Sequence, residues 1–167
     1  MTVTLLRPNA DIAGDMTLTG SATYFGALDD AVTQPTAPGT GTDYCSHGTA
    51  GRFAHVGCQT FTKGLDVVSQ VTLWIYLETG KKRGCLFRIN STAGTLQEGS
   101  VGADTAAGWQ SITYTGTLEQ ADIDALAIYA EVTATAPGGG AGTVAVYAAY
   151  LEVTHAAPGQ NPMRMVI

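Results

Sequence analysis

Apolar and polar residues alternate with a period of two along most of this chain, most regularly between Val67 and Glu78. Val71, Leu73, Ile75 and Leu77 fall on one side, and Thr72, Trp74 and Tyr76 on the other. That is the pattern of a strand with two different faces. Just downstream, Cys85, Phe87 and Ile89 alternate with Leu86, Arg88 and Asn90. The turn between them, Thr79 to Gly84, holds Lys81, Lys82 and Arg83. The pattern therefore predicts a hairpin with a charged tip.

Shorter runs of the same kind recur with turn residues between them. They are Val3 to Arg7 (closed by Pro8-Asn9), Met16 to Leu18, Ala22 to Phe25, Tyr44-Cys45, Phe53 to Thr62, Trp109 to Thr115 and Leu126 to Thr135. Gly26 to Asp43 reads as loop, and Gly94 to Gly108 as loop with a weak strand. The last run, Thr143 to His155, places Ala145, Tyr147, Ala149, Leu151 and Val153 on one face. Val144, Val146, Ala148 and Tyr150 take the other. One short helix is expected near residues 118–125, where Thr117 and Gln120 fit a capping box and Glu119 and Asp122 suit its first turn.

Eight to ten strands and one small helix predict an all-β protein, an antiparallel jelly-roll-like sandwich over residues 1–155. Beyond residue 155 the alternation stops. Residues 156–167 contain two prolines and end in Met163, Met165, Val166 and Ile167. They are expected to form an extended arm whose apolar end packs on a partner subunit or adds a strand to an exposed edge.

Composition supports this fold class and narrows the functions. Charged residues are 13% of the chain, against about 25% in ordinary domains. The difference is taken up by 24 Thr and 21 Gly, residues that favour pleated strands and tight turns respectively. The net charge of −6 and a single three-residue basic cluster argue against nucleic acid as a partner. No apolar run approaches the roughly 20 residues of a membrane helix, and no leader-like segment opens the chain. A soluble protein made in the cytoplasm is expected. Three cysteines, an odd number, argue against a disulfide framework and read as small buried apolar residues.

Reactive side chains crowd into one stretch, TDYCSHGTAGRFAHVGC, from Thr42 to Cys58. A Ser or Cys nucleophile with a His base is disfavoured, because Ser46 and His47 are strand neighbours that point to opposite faces. A tetrahedral zinc site is the second reading, with Cys45, His47, His55 and Cys58 as ligands. His55 and Cys58, three residues apart, would share a face only across a bulge at Gly57. The third reading is structural: a Tyr-led strand, a glycine turn and a strand resuming at Phe53. Acidic pairs, Asp29-Asp30 or Asp11 with Asp15, are partial calcium motifs at most. Trp74, Tyr76, Trp109 and Tyr114 are available as sugar-stacking platforms for a carbohydrate-binding face. No catalytic carboxylate pair, phosphate loop or dinucleotide fingerprint is present, so no cofactor and no enzymatic activity are expected.

The segments LLRPNADIAGDMTLTG, ALDDAVTQP, TDYCS, VVSQVTLWIYLET, GWQSITYTGTLEQADIDALAIYAEV and VAVYAAYLEVTH follow one another in an order that resembles small virion structural proteins of tailed bacteriophages, particularly phages of actinobacteria. The resemblance spans about residues 3–155. It implies a jelly-roll sandwich without enzymatic activity that assembles with other virion proteins, most often as a minor tail protein. A head decoration protein that stabilises the capsid is the alternative it leaves open. A homo-oligomer within the particle, assembly in the host cytoplasm and contact with a host surface glycan are the corresponding expectations. Where that family carries Ile or Val after the Tyr, this chain has Cys45, which favours an apolar packing role for the thiol.

Overall fold

The computed structural model describes residues 1–29, 32–39, 43–134 and 142–157. Among the described residues, eleven strands build two antiparallel sheets. Sheet A contains β1 (Thr2–Leu6), β3 (Thr17–Thr19), β4 (Tyr44–His47), β6 (Val67–Thr79), β9 (Gly108–Leu118) and β11 (Val144–Ala156). Its strands run β3-β4-β11-β6-β9, and β1 pairs with β11 beyond the end of β4. Sheet B runs β2-β5-β10-β7-β8, with β2 (Pro8–Gly14), β5 (Phe53–Cys58), β10 (Ala127–Ala134), β7 (Arg83–Ser91) and β8 (Gly94–Val101). This is the jelly-roll-like sandwich that the alternation predicts.

The core lies between the sheets. Val71, Leu73, Ile75 and Leu77 of β6 point inward and are fully buried, as predicted. They meet Val56 of β5, Phe87 and Ile89 of β7, and Ile128, Ala130 and Val132 of β10. Each large aliphatic side chain buried in this way contributes about 1.5–3 kcal/mol. Cys45, Cys58 and Cys85 are free thiols packed into the same core.

The predicted hairpin between β6 and β7 does not form. β6 pairs with β11 and β9, and β7 with β10 and β8, so the turn at 80–82 carries the chain from one sheet to the other. Both strands have one core-facing side, and alternation cannot tell whether they are neighbours or face each other across the core. The backbone of the turn is wedged against the chain at 142–143, while Lys81 stays exposed. Gly80 N–H donates to Thr143 O at 2.8 Å, and Gly142 N–H donates to Lys81 O at 2.8 Å. Arg83 Nε donates to Gly48 O at 2.6 Å. A Cβ on Gly80 would stand 2.7 Å from the Gly142 Cα, so this turn meets residues 142–143 backbone to backbone.

Three further local expectations are corrected and one is extended. The first run ends as expected, at Leu6, but β2 starts directly at Pro8, and the break marks the crossing from sheet A to sheet B. Ala22 to Phe25 is not a strand; Tyr24–Leu28 form a short helix, α1, because the Thr23 hydroxyl caps the Gly26 N–H at 3.2 Å. The expected helix is present as α2 (Gln120–Asp124), but its capping box uses Glu119 and Asp122 rather than Thr117 and Gln120. The weak strand after Gly94 is a full eight-residue β8, joined to β7 through the turn at 92–93.

β11 departs from strict alternation in an instructive way. Its register against β6 jumps between Val146 and Ala148, leaving Tyr147 as the extra residue of a bulge. Val144 and Val146 before the bulge, and Ala149, Leu151 and Val153 after it, all face the core. Ala145, Tyr147 and Ala148 pack instead in a second apolar cluster with Tyr76 on the outside of sheet A. The two faces expected for this strand are exchanged halfway along it.

Candidate functional site

The outer faces of the two sheets carry the side chains with the most chemistry, and the sheet registers place them. On sheet A, Ala148, Tyr76 and Trp109 lie in one cross-strand row, and Tyr150, Trp74 and Ser111 in the next. Trp74, Tyr76 and Trp109 therefore share one face, as expected. Tyr114 does not join them. It stands five residues from Trp109, an odd spacing, so it turns inward and packs against the core between the sheets.

This aromatic face is closed. Trp109 lies edge-on to Tyr76 at 5.3 Å and to Tyr150 at 5.6 Å between ring centroids. Tyr147 packs against Tyr44 at 5.2 Å and Tyr76 at 6.1 Å. The segment 32–39 lies over the rings. Trp109 Nε1 donates to Thr36 O at 2.9 Å, and Gln34 N–H donates to the Tyr150 hydroxyl oxygen at 3.3 Å. Arg7 places its guanidinium 5.7 Å from the Tyr150 ring centre and donates to Val32 O at 3.4 Å. Tyr150 is 0% exposed. Burial, followed by the hydrogen bond to Glu78 at 2.5 Å, pushes the Tyr147 phenol up and keeps it protonated. Tyr76 and Trp109 are thus inner packing rather than stacking platforms for a sugar. Trp74 is half-buried, and its indole N–H is bonded to Glu152 at 2.9 Å.

Sheet B is different. Its central row reads Ala13, His55, Tyr129, Arg88 and Glu98 across β2, β5, β10, β7 and β8. Phe53, Glu131, Leu86 and Ser100 form the adjacent row on one side, and Gly57, Ala127 and Asn90 the row on the other. All point away from the core. Tyr129 is the hub. Phe53 stacks on it at 5.3 Å, His55 meets it edge-on at 5.7 Å, and the Arg88 guanidinium sits 5.2 Å from its ring centre. These aromatic side chains are partly exposed, as Trp74 and Trp109 are, but no described segment crosses above them in the manner of 32–39.

Polar groups ring this hub, each held in place. The Tyr129 hydroxyl donates to Glu131 Oε2 at 2.8 Å. Arg88 Nε donates to Glu98 Oε2 at 2.6 Å. Thr95 Oγ1 donates to Asn90 Oδ1 at 3.1 Å, which leaves the Asn90 Nδ2 facing His55 Nε2 at 3.4 Å. Burial pushes the Tyr129 phenol up to about 12, helped by Glu131, so it is a neutral hydroxyl at ordinary pH. Burial also lowers His55, which favours the neutral imidazole. The face offers a ring platform, an imidazole, an amide, a guanidinium and two carboxylates, with little net charge. Sequence reading missed it, because its members come from four strands whose register alternation does not reveal.

The zinc reading of the 42–58 stretch does not survive the fold. β4 belongs to sheet A and β5 to sheet B. Cys45 and Cys58 point into the core, whereas His55 stands on the outer face of sheet B. His47, at the end of β4, accepts the Thr49 N–H on Nδ1 at 2.9 Å. The four residues do not converge, and no cluster of three or more metal-ligating side chains exists among the described residues. Burial raises Cys45 to about 12 and Cys58 further, which opposes the thiolate a metal needs.

Asp11 and Asp15 are also engaged. Asp15 accepts the Phe53 N–H and Arg52 Nη1, both at 2.8 Å. Asp11 accepts the Phe25 N–H at 2.8 Å. Asp30 and the arm residues Met163, Met165, Val166 and Ile167 lie outside the described residues.

No family model matches the sequence, and no curated protein does. Solved structures similar in outline include the C-terminal CBM6 of LamC, a marine laminarinase from Zobellia galactanivorans (7% identity, 92% of this chain and 99% of that one, TM-score 0.48). The carbohydrate-binding module CBM36 in complex with calcium and xylotriose is another (10% identity, 92% and 100%, TM-score 0.44). A third is the enzymatically active domain of bacteriophage CBA120 tailspike protein 4 (10% identity, 91% of this chain and 19% of that one, TM-score 0.45). At these values the likenesses concern the sandwich outline and carry nothing about ligands.

Proposed function

We propose that this protein is a non-catalytic binding sandwich that recognises a neutral carbohydrate on the outer face of sheet B. The observation that carries this reading is the open row His55, Tyr129, Arg88 and Glu98. Sugars present an apolar face of C–H groups and a rim of hydroxyls. A partly exposed tyrosine ring can stack on the first. Amide, guanidinium and carboxylate groups on rigid strands can pair with the second in fixed directions. Arg88 is balanced by Glu98, and Glu131 adds a negative charge beside a neutral imidazole. That balance selects against acidic glycans. A panel of neutral oligosaccharides, screened on an array and measured by calorimetry, tests the reading. Binding that disappears in Tyr129→Ala supports it, and the absence of any glycan hit across the panel overturns it.

A second reading is favoured by the sequence resemblance: a structural component of a phage virion, in the tail or on the head. An exposed apolar corner at β1 supports it, because a particle component needs surface to give to its neighbours. The two readings are compatible in a virion protein that touches a host surface glycan. Copy number in purified particles, by quantitative gel, separates tens of tail copies from hundreds of head copies. Absence from particles overturns the second reading alone.

A further inference from the structure

The corner of sheet A formed by β1, the end of β11 and the start of β6 is apolar, exposed and incompletely paired. On β1, Leu6 is buried and Thr4 turns inward to hydrogen bond His155 at 2.9 Å, so Val3 and Leu5 turn outward. They are 56% and 41% exposed. Val3 lies opposite Thr154 and Leu5 opposite Glu152 on β11. On the other side of β11, Val67 pairs with Ala156 and is 45% exposed, and Leu65 just before it is 84% exposed. Met1 adds another exposed apolar side chain at the same end. Among the described residues, β1 pairs only with β11, so its second edge presents free backbone donors and acceptors. An edge that is both apolar and unpaired is a template for another strand.

The sequence after Ala157 has the pattern for one. Ten residues follow Ala157, and they begin at this corner, because β11 ends beside the start of β1. Pro158 and Pro162 lack the N–H needed to extend a ladder. After them, Met163, Met165 and Ile167 alternate with Arg164 and Val166, a pattern with one wholly apolar face.

We infer that this corner is the contact between copies of this chain, with residues 163–167 of one copy adding to the free edge of β1 of another. The width of the patch favours a second copy over the chain's own arm. A strand laid on the β1 edge reaches Val3 and Leu5. Val67 lies two strands away, about 10 Å further in, and stays in water unless a neighbouring surface covers it. A single five-residue strand also buries far less than the roughly 1,200 Å² of a stable interface. Exchange of two arms combined with contact between two corners supplies more. The inference does not depend on the glycan face, which lies on the other sheet.

The test compares the full chain, the chain ending at Ala157, and the double variant Val3→Glu, Leu5→Glu. Light scattering after size exclusion and sedimentation give the mass at about 100 µM, a concentration that reveals even weak association. The full chain is expected to be oligomeric. Both variants are expected to be monomeric, with association weakened roughly 30-fold or more and melting temperatures within about 4 °C of the parent. Val67→Glu, outside the reach of one arm, is expected to weaken association as well. A monomeric full chain overturns the inference, as does a truncated chain that keeps the parent's oligomer. A monomer that loses more than about 8 °C on truncation also overturns it, because the arm then serves its own chain.

Discussion

Both sheets carry aromatic side chains on their outer faces, but only one of those faces is covered. On sheet A, Tyr44, Tyr76, Trp109, Tyr147 and Tyr150 lock into a continuous ring cluster beneath residues 32–39. On sheet B, Phe53, His55 and Tyr129 gather around one hub with charged and amide groups at its rim. Covered aromatics work as core: their value is in area removed from water, and the polar atoms of Trp109, Tyr147 and Tyr150 are engaged by Thr36, Glu78 and Gln34. Open aromatics keep a face and a rim for a ligand. Under the proposed reading, richness in tryptophan therefore points to the wrong sheet. The better guide is what lies above the ring.

This contrast can be broken by substitution. The largest effect is expected from Tyr150→Ala, which removes a fully buried ring and its contacts to Arg7, Gln34 and Trp109. It should cost about 3–5 kcal/mol in denaturant unfolding and leave the glycan affinity of the folded fraction intact. Tyr129→Ala should do the reverse. Affinity should fall roughly 30-fold or more in calorimetry, while stability changes by about 1–2 kcal/mol. If the two variants lose stability equally, the open face is a structural one. Arg88→Ala sharpens the point further. Its ion pair with Glu98 is partly exposed, so unfolding should shift by no more than about 1 kcal/mol, with a clear loss of binding.

The smallest effect concerns pH. Burial lowers His55 in the folded state, so the unfolded chain takes up a proton first as pH falls. Stability should be full above the ordinary histidine value of about 6.5 and should decline as pH drops through it toward the folded value. In His55→Gln, melting curves recorded between about pH 7 and 5 should lose that part of the slope. An unchanged slope would remove His55 from the account of the face.

Much of the fold was legible in the sequence, and the illegible part has a physical cause. Alternation marked which side of β6 faces the core, because burial acts residue by residue. It could not mark that β6 and β7 lie in different sheets, because pairing is decided by the whole topology. The five-residue helix α1 was hidden by Tyr24 and Phe25, which have strand preferences, while Thr23 quietly supplied its cap. The misplacement of Tyr114 was avoidable, since its odd separation from Trp109 already put the two on opposite faces. The row on sheet B was illegible for the opposite reason. Arg88 and Tyr129 each look ordinary in their own strand, His55 reads as a zinc candidate, and only the register makes the three neighbours.

The bulge at Tyr147 works as a phase shifter. It lets one strand of thirteen residues address the core with even-numbered positions in its first part and odd-numbered positions in its second. The strand consequently tolerates substitution far better than it tolerates a change in length. Deleting one residue at this point would turn Val144 and Val146 out of the core and drive Ala145 into it, an error that no neighbouring side chain could absorb. Among divergent versions of this chain, insertions and deletions should therefore avoid position 147 even where the tyrosine itself is replaced.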